Sequence, residues 1–338
     1  MTSSDSISPT AKSPKMPRTT VNQLEALKQV TMVVADTGDY GKIRQYAPQD
    51  ATTNPSLVFQ AVQSGDYNHL VREIVDQSGD ASSDIDTKVS DICERLAVRF
   101  GVEILKVIPG RVSTEVDACL SFCTHSMIAQ AQRLIALYES HGVDRDRVLI
   151  KIASTWEGVQ ACRALEEMGI HTNMTLIFNY EQAIACAQAG ATLISPFVGR
   201  ILDWFNKNSP TKESYTNLSD PGVVSVTRIY KYFKSHNHKT IVMGASFRNK
   251  SQILGLAGID ALTISPKLLH ELEQSTDALD RVLTPELVES DIPKIVVDEE
   301  TFRWALNEDA MATEKLAEGI RNFNADMKKL KSIIRSMI

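Results

Sequence analysis

The feature that most limits how this chain can fold is a repeat. From residue 30 onward, short runs of β-forming residues alternate with longer stretches of helical periodicity. Alternation of this kind builds parallel sheets, because each parallel neighbour needs a crossover long enough to hold a helix. Eight runs occur, at residues 31–35, 50–53, 112–116, 148–153, 171–178, 192–198, 240–245 and 261–265. Eight favours a closed barrel over an open sheet, so the expected fold class is α/β, a single (β/α)8 TIM barrel. The segments between the runs read as helices: residues 121–140 carry Met127, Ala131, Leu134 and Tyr138 on one stripe, and residues 156–168 stop before Gly169. Gly101, Gly142, Gly169 and Gly190 stand close to the expected helix ends.

Beyond the eighth unit, Leu316, Ile320, Phe323, Met327, Leu330, Ile334 and Met337 recur in alternating steps of four and three. The spacing predicts a long C-terminal amphipathic helix, packed across the barrel or into a dimer contact; as a coiled coil it is short, about three heptads. With 338 residues, 43% of them hydrophobic, the chain can bury one large core, and residues 21–338 are expected to form one barrel domain including this helix. Residues 1–20 are Ser/Thr-rich, with Lys12, Lys15 and Arg18 against one acid, Asp5, and read as a disordered tail. A transit peptide is the functional alternative, although no amphipathic arginine helix is visible. A net charge of −6 gives no general attraction to nucleic acid or anionic membrane. No apolar run reaches the roughly 18 residues of a membrane span, and no secretory signal opens the chain. Five cysteines without CxxC spacing suit reduced thiols in a cytoplasmic protein, placed in the core.

Successive strand residues point to opposite faces, so each run divides into two sets. Leu149, Lys151 and Ala153 oppose Ile150 and Ile152; Ser113 and Glu115 oppose Val112, Thr114 and Val116; Asn173 and Thr175 oppose Met174 and Leu176. In a barrel the outward set meets the helices and should be apolar, while polar groups gather inside near the C-terminal mouth. Lys151 is the outlier. An ammonium in an apolar strand is costly to keep charged, so a fraction is expected as free amine, the form that attacks a carbonyl. The iminium so formed draws electrons and permits cleavage beside the former carbonyl without a metal. A structural ion pair with a buried carboxylate is the alternative, and position alone does not separate the two.

The neighbours of Lys151 favour chemistry. Asp36 closes the first run, Asn54 follows the second and Glu115 lies on the third. Two carboxylates beside a lysine can divide proton transfers, and an asparagine can hold sugar hydroxyls. For an isolated Asp before Thr-Gly, capping a helix or loop is the common fate. Arg200 and Arg248 follow late strands, where barrels place phosphate sites, and an Arg fork beside a hydroxyl and helix-start amides suits phosphate oxygens. Pairing with a surface acid such as Asp203 is the alternative for each. Lys250 and Lys267 lie nearby without an assigned role.

The stretches VVADTGD, DATTNPSL, PGRVSTEVDA, LIKIASTWEG, NMTLIF, LISPFVGRILDW and GASFRN, in this order, resemble the signature segments of class I transaldolases, and the similarity continues through TISPKLL and FRWALNED. The resemblance implies a βα barrel that transfers a dihydroxyacetone unit from sedoheptulose 7-phosphate to glyceraldehyde 3-phosphate, giving erythrose 4-phosphate and fructose 6-phosphate. It implies no cofactor and no metal. Lys151 would form the Schiff base, Asp36 would exchange the proton of the hydroxyl at the broken bond, and Glu115 would act through water. Asn54 and Asn173 would bind the dihydroxyacetone hydroxyls, with Thr175 and Ser195 close to the lysine. Arg200, Arg248 and Ser246 would hold phosphate, and Phe197 would line the pocket. Sugar phosphates are the expected partners, with a homodimer as the expected assembly.

Many members of that family have Cys where this chain has Thr172, and Ser-Phe where it has Asn179-Tyr180. Thr172 should face a helix, whereas Asn179 and Tyr180 are expected to begin a loop near the mouth. A rival reading is a Schiff-base fructose 6-phosphate aldolase that releases dihydroxyacetone to water; such relatives commonly carry Gln at position 115 and Tyr at position 197, and this chain keeps Glu115 and Phe197. A non-catalytic sugar-phosphate-binding barrel would be expected to lose Lys151, Glu115 or Asp36, and all three are present. GxGxxG, GxxxxGK[ST] and HExxH are absent, which disfavours nucleotide and zinc chemistry.

Overall fold

The eight runs become eight strands: β1 (Met32–Asp36), β2 (Asp50–Thr52), β3 (Val112–Glu115), β4 (Val148–Ala153), β5 (Thr172–Ile177), β6 (Leu193–Pro196), β7 (Ile241–Gly244) and β8 (Ala261–Ile264). Every pairing is parallel and joins neighbours in sequence, and β1 closes onto β8. The computed structural model describes residues 21–78, 84–209, 215–286 and 292–338; the tail expected at 1–20 lies outside these. No helix among the described residues is long and apolar enough to cross a membrane.

The alternation of faces sorts the core into two parts. Outward residues such as Val33, Ile150, Ile152, Met174 and Ile194 join the helices in one large apolar cluster. Inward residues Val34, Leu149, Leu193, Met243 and Ala261 form a separate cluster inside the barrel, and on β1, β4, β6 and β8 the polar residues Asp36, Lys151, Ser195 and Thr263 follow two positions later. Thr172 meets the helix Trp156–Glu167 as expected: its hydroxyl donates to Glu166 Oε1 at 2.5 Å and lies 3.2 Å from Cys162 Sγ.

Four expectations need correction. Leu176 does not face outward with Met174. A register shift between Thr175 and Ile177 and a left-handed backbone (φ 58°) turn it into an apolar cluster at the mouth, with Phe178, Phe197, Leu316, Ile320 and Phe323. Gly101 ends no helix; it sits within Ile85–Leu105, where a methyl group would collide with the Tyr138 hydroxyl, itself 2.6 Å from Thr114 Oγ1. Gly142, Gly169 and Gly190 do follow helices, at φ 75°, 71° and 84°. Asn179 and Tyr180 begin a helix rather than a loop. Asn179 caps Tyr180–Gln188 in a reciprocal capping box with Gln182, and Tyr180 packs edge-on against Tyr232. Of the five cysteines, Cys93, Cys162 and Cys186 are buried, but Cys119 and Cys123 are exposed.

The terminal helix runs Ala310–Arg335 and turns its stripe inward: Leu316, Ile320, Phe323, Leu330 and Ile334 are buried. It packs on the helices Pro55–Ser64 and Ile85–Leu105 and reaches β5. Of the two placements the sequence allowed, the apolar stripe lies across the chain's own barrel. Met337 falls beyond the helix and is exposed.

Candidate active site

Strand register assembles the site. Glu115 on β3 is level with Lys151 on β4, Lys151 with Asn173 on β5, and Thr175 with Ser195 on β6. The side chain of Lys151 is 6% exposed, with Nζ 3.2 Å from Glu115 Oε2 and 3.5 Å from the carbonyl of Thr53. Asp36 shares one cavity with Lys151, Asn54, Thr175, Ser195, Phe197, Arg200 and Ser246. Its Oδ1 accepts from Thr52 Oγ1 at 3.2 Å, and helix capping falls instead to Asp39. Burial pushes the carboxyls of both Asp36 and Glu115 above their ordinary range, against the opposing pull of Lys151 and Arg200. A lysine in contact with one carboxyl and sharing a cavity with another places an amine and two proton-carrying groups around one bound carbonyl.

Asn173 lies behind this cavity. It donates from Nδ2 to Ser113 Oγ at 3.0 Å and accepts from Ser195 Oγ at 2.6 Å, a network that fixes its amide beside Lys151. Asn54 commits Oδ1 to capping the helix Pro55–Ser64, which leaves its amide nitrogen for the cavity. Thr175 Oγ1 and Arg200 Nη1 are buried without a hydrogen-bond partner in the protein. Glu115 touches the cavity through Lys151 and also lines a second space between helices, beside Asp117, Gln130 and Lys331.

The two arginines separate. Arg200 is the second residue of the helix Gly199–Asn208, whose first turn has no side-chain cap, and its guanidinium stacks 4.9 Å from the Phe197 ring centre. Burial, followed by repulsion from Arg248, lowers its pKa from the usual arginine value. Arg248 instead reaches outward to Asp203, with Nη2 at 2.6 Å from Oδ2, the alternative pairing expected from the sequence. Its Nη1 lies 3.4 Å from Ser246 Oγ. Ser246 holds a left-handed backbone, φ 61°, which places it on the cavity wall.

Thr52, Ala245, Thr263 and Phe323 line the cavity as well and were not anticipated there. Thr52 and Thr263 lie inside the strand runs, so the face division that found Glu115 could have found them. Phe323 was visible only as one member of an apolar stripe, a pattern that does not say what the stripe covers. Among the described residues no group of three or more His, Cys, Asp or Glu forms a potential metal site.

Fold and site together define a (β/α)8 barrel enzyme with a buried lysine and two carboxylic acids at its C-terminal mouth. Residues 33–334 match the Transaldolase/Fructose-6-phosphate aldolase family. The chain is 56% identical over 313 residues to the transaldolase of Homo sapiens, covering 92% of this chain and 93% of that protein. It is 55% identical over 317 residues to the transaldolase of Marinomonas sp. (strain MWYL1), covering 94% and 99%, and 54% identical to a probable transaldolase of Drosophila melanogaster, covering 93% and 96%. The chain belongs to this family, and it is an enzyme that transfers aldehyde or ketone groups.

Proposed function

We propose that the chain moves a dihydroxyacetone unit from sedoheptulose 7-phosphate to glyceraldehyde 3-phosphate through a Schiff base on Lys151. The observation that carries this reading is the contact of Lys151 Nζ with Glu115 Oε2 at 3.2 Å, in a buried site whose cavity Asp36 also lines. The amine adds to the ketose carbonyl, and loss of water, with Glu115 handling the proton through a water, leaves the iminium. Asp36 takes the proton from the hydroxyl on the far carbon of the breaking bond, which becomes the aldehyde carbon of the departing aldose phosphate. The bond electrons pass into the iminium to give an enamine, and the aldose phosphate departs. The enamine carbon then attacks the acceptor aldehyde, Asp36 returns the proton, and hydrolysis frees the new ketose phosphate. Thr175 and Arg200, each with a buried polar atom lacking a protein partner, support binding of hydroxyls and phosphate. Asn54, Ser195 and Ser246 complete the polar wall, with Asn173 behind it holding Ser195, and Phe197 forms the apolar side.

Borohydride reduction with fructose 6-phosphate, followed by peptide mass mapping, tests the assignment. The expected adduct lies on the peptide carrying Lys151; no adduct, or one on Lys106 or Lys267 alone, overturns it. Release of dihydroxyacetone to water as the main reaction is not favoured, since the relatives are named transaldolases and Glu115 and Phe197 are retained. The free cysteines suit a reducing cytoplasm. A homodimer is kept as a reading, but the terminal helix no longer argues for it, and sedimentation of the full chain is its test because truncation would remove Phe323.

A further inference from the structure

We propose that Phe323 of the terminal helix is a positioning residue that governs whether the lysine-bound fragment goes to an aldose acceptor or to water. This rests on the Schiff-base reading of Lys151. The ring centre of Phe323 lies 5.8 Å from Lys151 Nζ and 5.6 Å from Arg200 Cζ, while Phe197 holds Arg200 from another side at 4.9 Å. One aromatic ring from outside the βα units therefore faces both the covalent attachment point and the arginine with a free buried N–H.

Two backbone features seat it there. Gly319, one turn earlier, brings the helix so close that a Cβ would stand 2.6 Å from Leu176 Cδ2 and 3.3 Å from Arg200 Nη1. Leu176 reaches that contact only through its left-handed backbone and the register shift in β5. Leu316, Ile320 and Phe323 then form an apolar roof with Leu176 and Phe197.

The chemistry makes a roof matter. After cleavage the enamine has two fates. Attack of its carbon on an aldehyde forms a new C–C bond. Alternatively, that carbon takes a proton, water adds to the C=N carbon, and the C–N bond breaks to return the amine and free dihydroxyacetone. Both routes are redox-neutral, and only the second consumes water with no acceptor. Both routes hydrolyse the C=N bond in the end, so what separates them is protonation of the enamine carbon. A ring over Lys151 shields that carbon from proton-donating water until an aldehyde arrives, and the same ring keeps Arg200 aligned for the phosphate of an acceptor.

The test uses the full chain with fructose 6-phosphate as donor, with and without an aldose phosphate acceptor, and measures dihydroxyacetone released against fragment transferred. Phe323→Ala should raise the released-to-transferred ratio about tenfold. Phe323→Leu keeps apolar cover and folds more safely; it should leave that ratio closer to the parent enzyme and raise KM for fructose 6-phosphate several-fold relative to free fructose. Both variants should still give the borohydride adduct on Lys151. Release and transfer falling together, or an unchanged KM contrast in Phe323→Leu, would overturn the assignment. Failure of the parent enzyme to trap at Lys151 would instead remove the Schiff-base reading itself.

Discussion

Two layers of side chains inside one barrel, two residues apart on the same strands, have opposite chemistry. Below lie Val34, Leu149, Leu193 and Ala261; above lie Asp36, Lys151, Ser195 and Thr263. The backbone treats both layers alike, since each is built by the same parallel register. What differs is the cost of each layer. The lower one gains stability by burying hydrocarbon, whereas the upper one buries a lysine and two carboxyls whose best arrangement is a reactive one. The lower layer thus supports a function it does not perform.

Exchanging Lys151→Met should break this division most sharply. Turnover is expected to fall by on the order of 10⁴-fold or more, as when a nucleophile is removed, and steady-state assay of folded protein checks it. Glu115→Gln should be next, slowing transfer by about 10²–10⁴-fold while the borohydride adduct still forms. An unchanged rate would take Glu115 out of the proton pathway. By contrast, Leu149→Ala should cost about 2–5 kcal/mol of stability, read by denaturant melts, and leave kcat per folded molecule nearly unchanged. A large loss of kcat there would mean that the lower layer does more than hold the upper one in place.

Much of this is legible in the sequence because strand periodicity is a two-residue code. Once Lys151 was placed inward, Glu115 and Asn173 followed from the same alternation, and the register set them level. Asp36 and Asn54 were legible from their places at strand ends. The code fails where the backbone leaves the regular strand. Leu176 reads as outward, and only the register shift after Thr175 turns it to the mouth. Gly101 reads as punctuation because sequence does not reveal that Tyr138 fills the space beside it. Phe323 could not be assigned from its stripe, since an amphipathic helix announces an apolar face and not the surface it meets.

The acid behaviour of the upper layer gives a smaller test. Asp36 and Glu115 are raised above 3.8 and 4.5 in the folded protein, so the folded state holds their protons more firmly than the unfolded chain does. The stabilisation this gives is fully present below those ordinary values and is lost as pH rises through the raised folded values. Over the same interval Asp36 becomes the base that cleavage requires, so kcat/KM should climb while stability falls. Thermal melts across pH should be flatter for Asp36→Asn than for the parent enzyme. Equal slopes would mean that Asp36 holds its proton no more firmly in the folded protein than in the unfolded chain.

At the rim, the least buried tier, the expected effect is smallest and its sign is informative. Arg248 is 40% exposed and paired with Asp203, so solvent screens that ion pair and breaking it costs little. If Arg248 also serves phosphate, Asp203 competes with the substrate for the guanidinium. Asp203→Asn should then lower KM for a phosphorylated ketose by up to about fivefold, the equivalent of a surface pair's roughly 1 kcal/mol. Arg248→Ala should raise KM, and Arg200→Ala should raise it further, because Arg200 is buried with a free N–H where Arg248 is exposed and occupied. A KM that rises in Asp203→Asn would reverse the interpretation, making Asp203 the residue that holds Arg248 in place for phosphate.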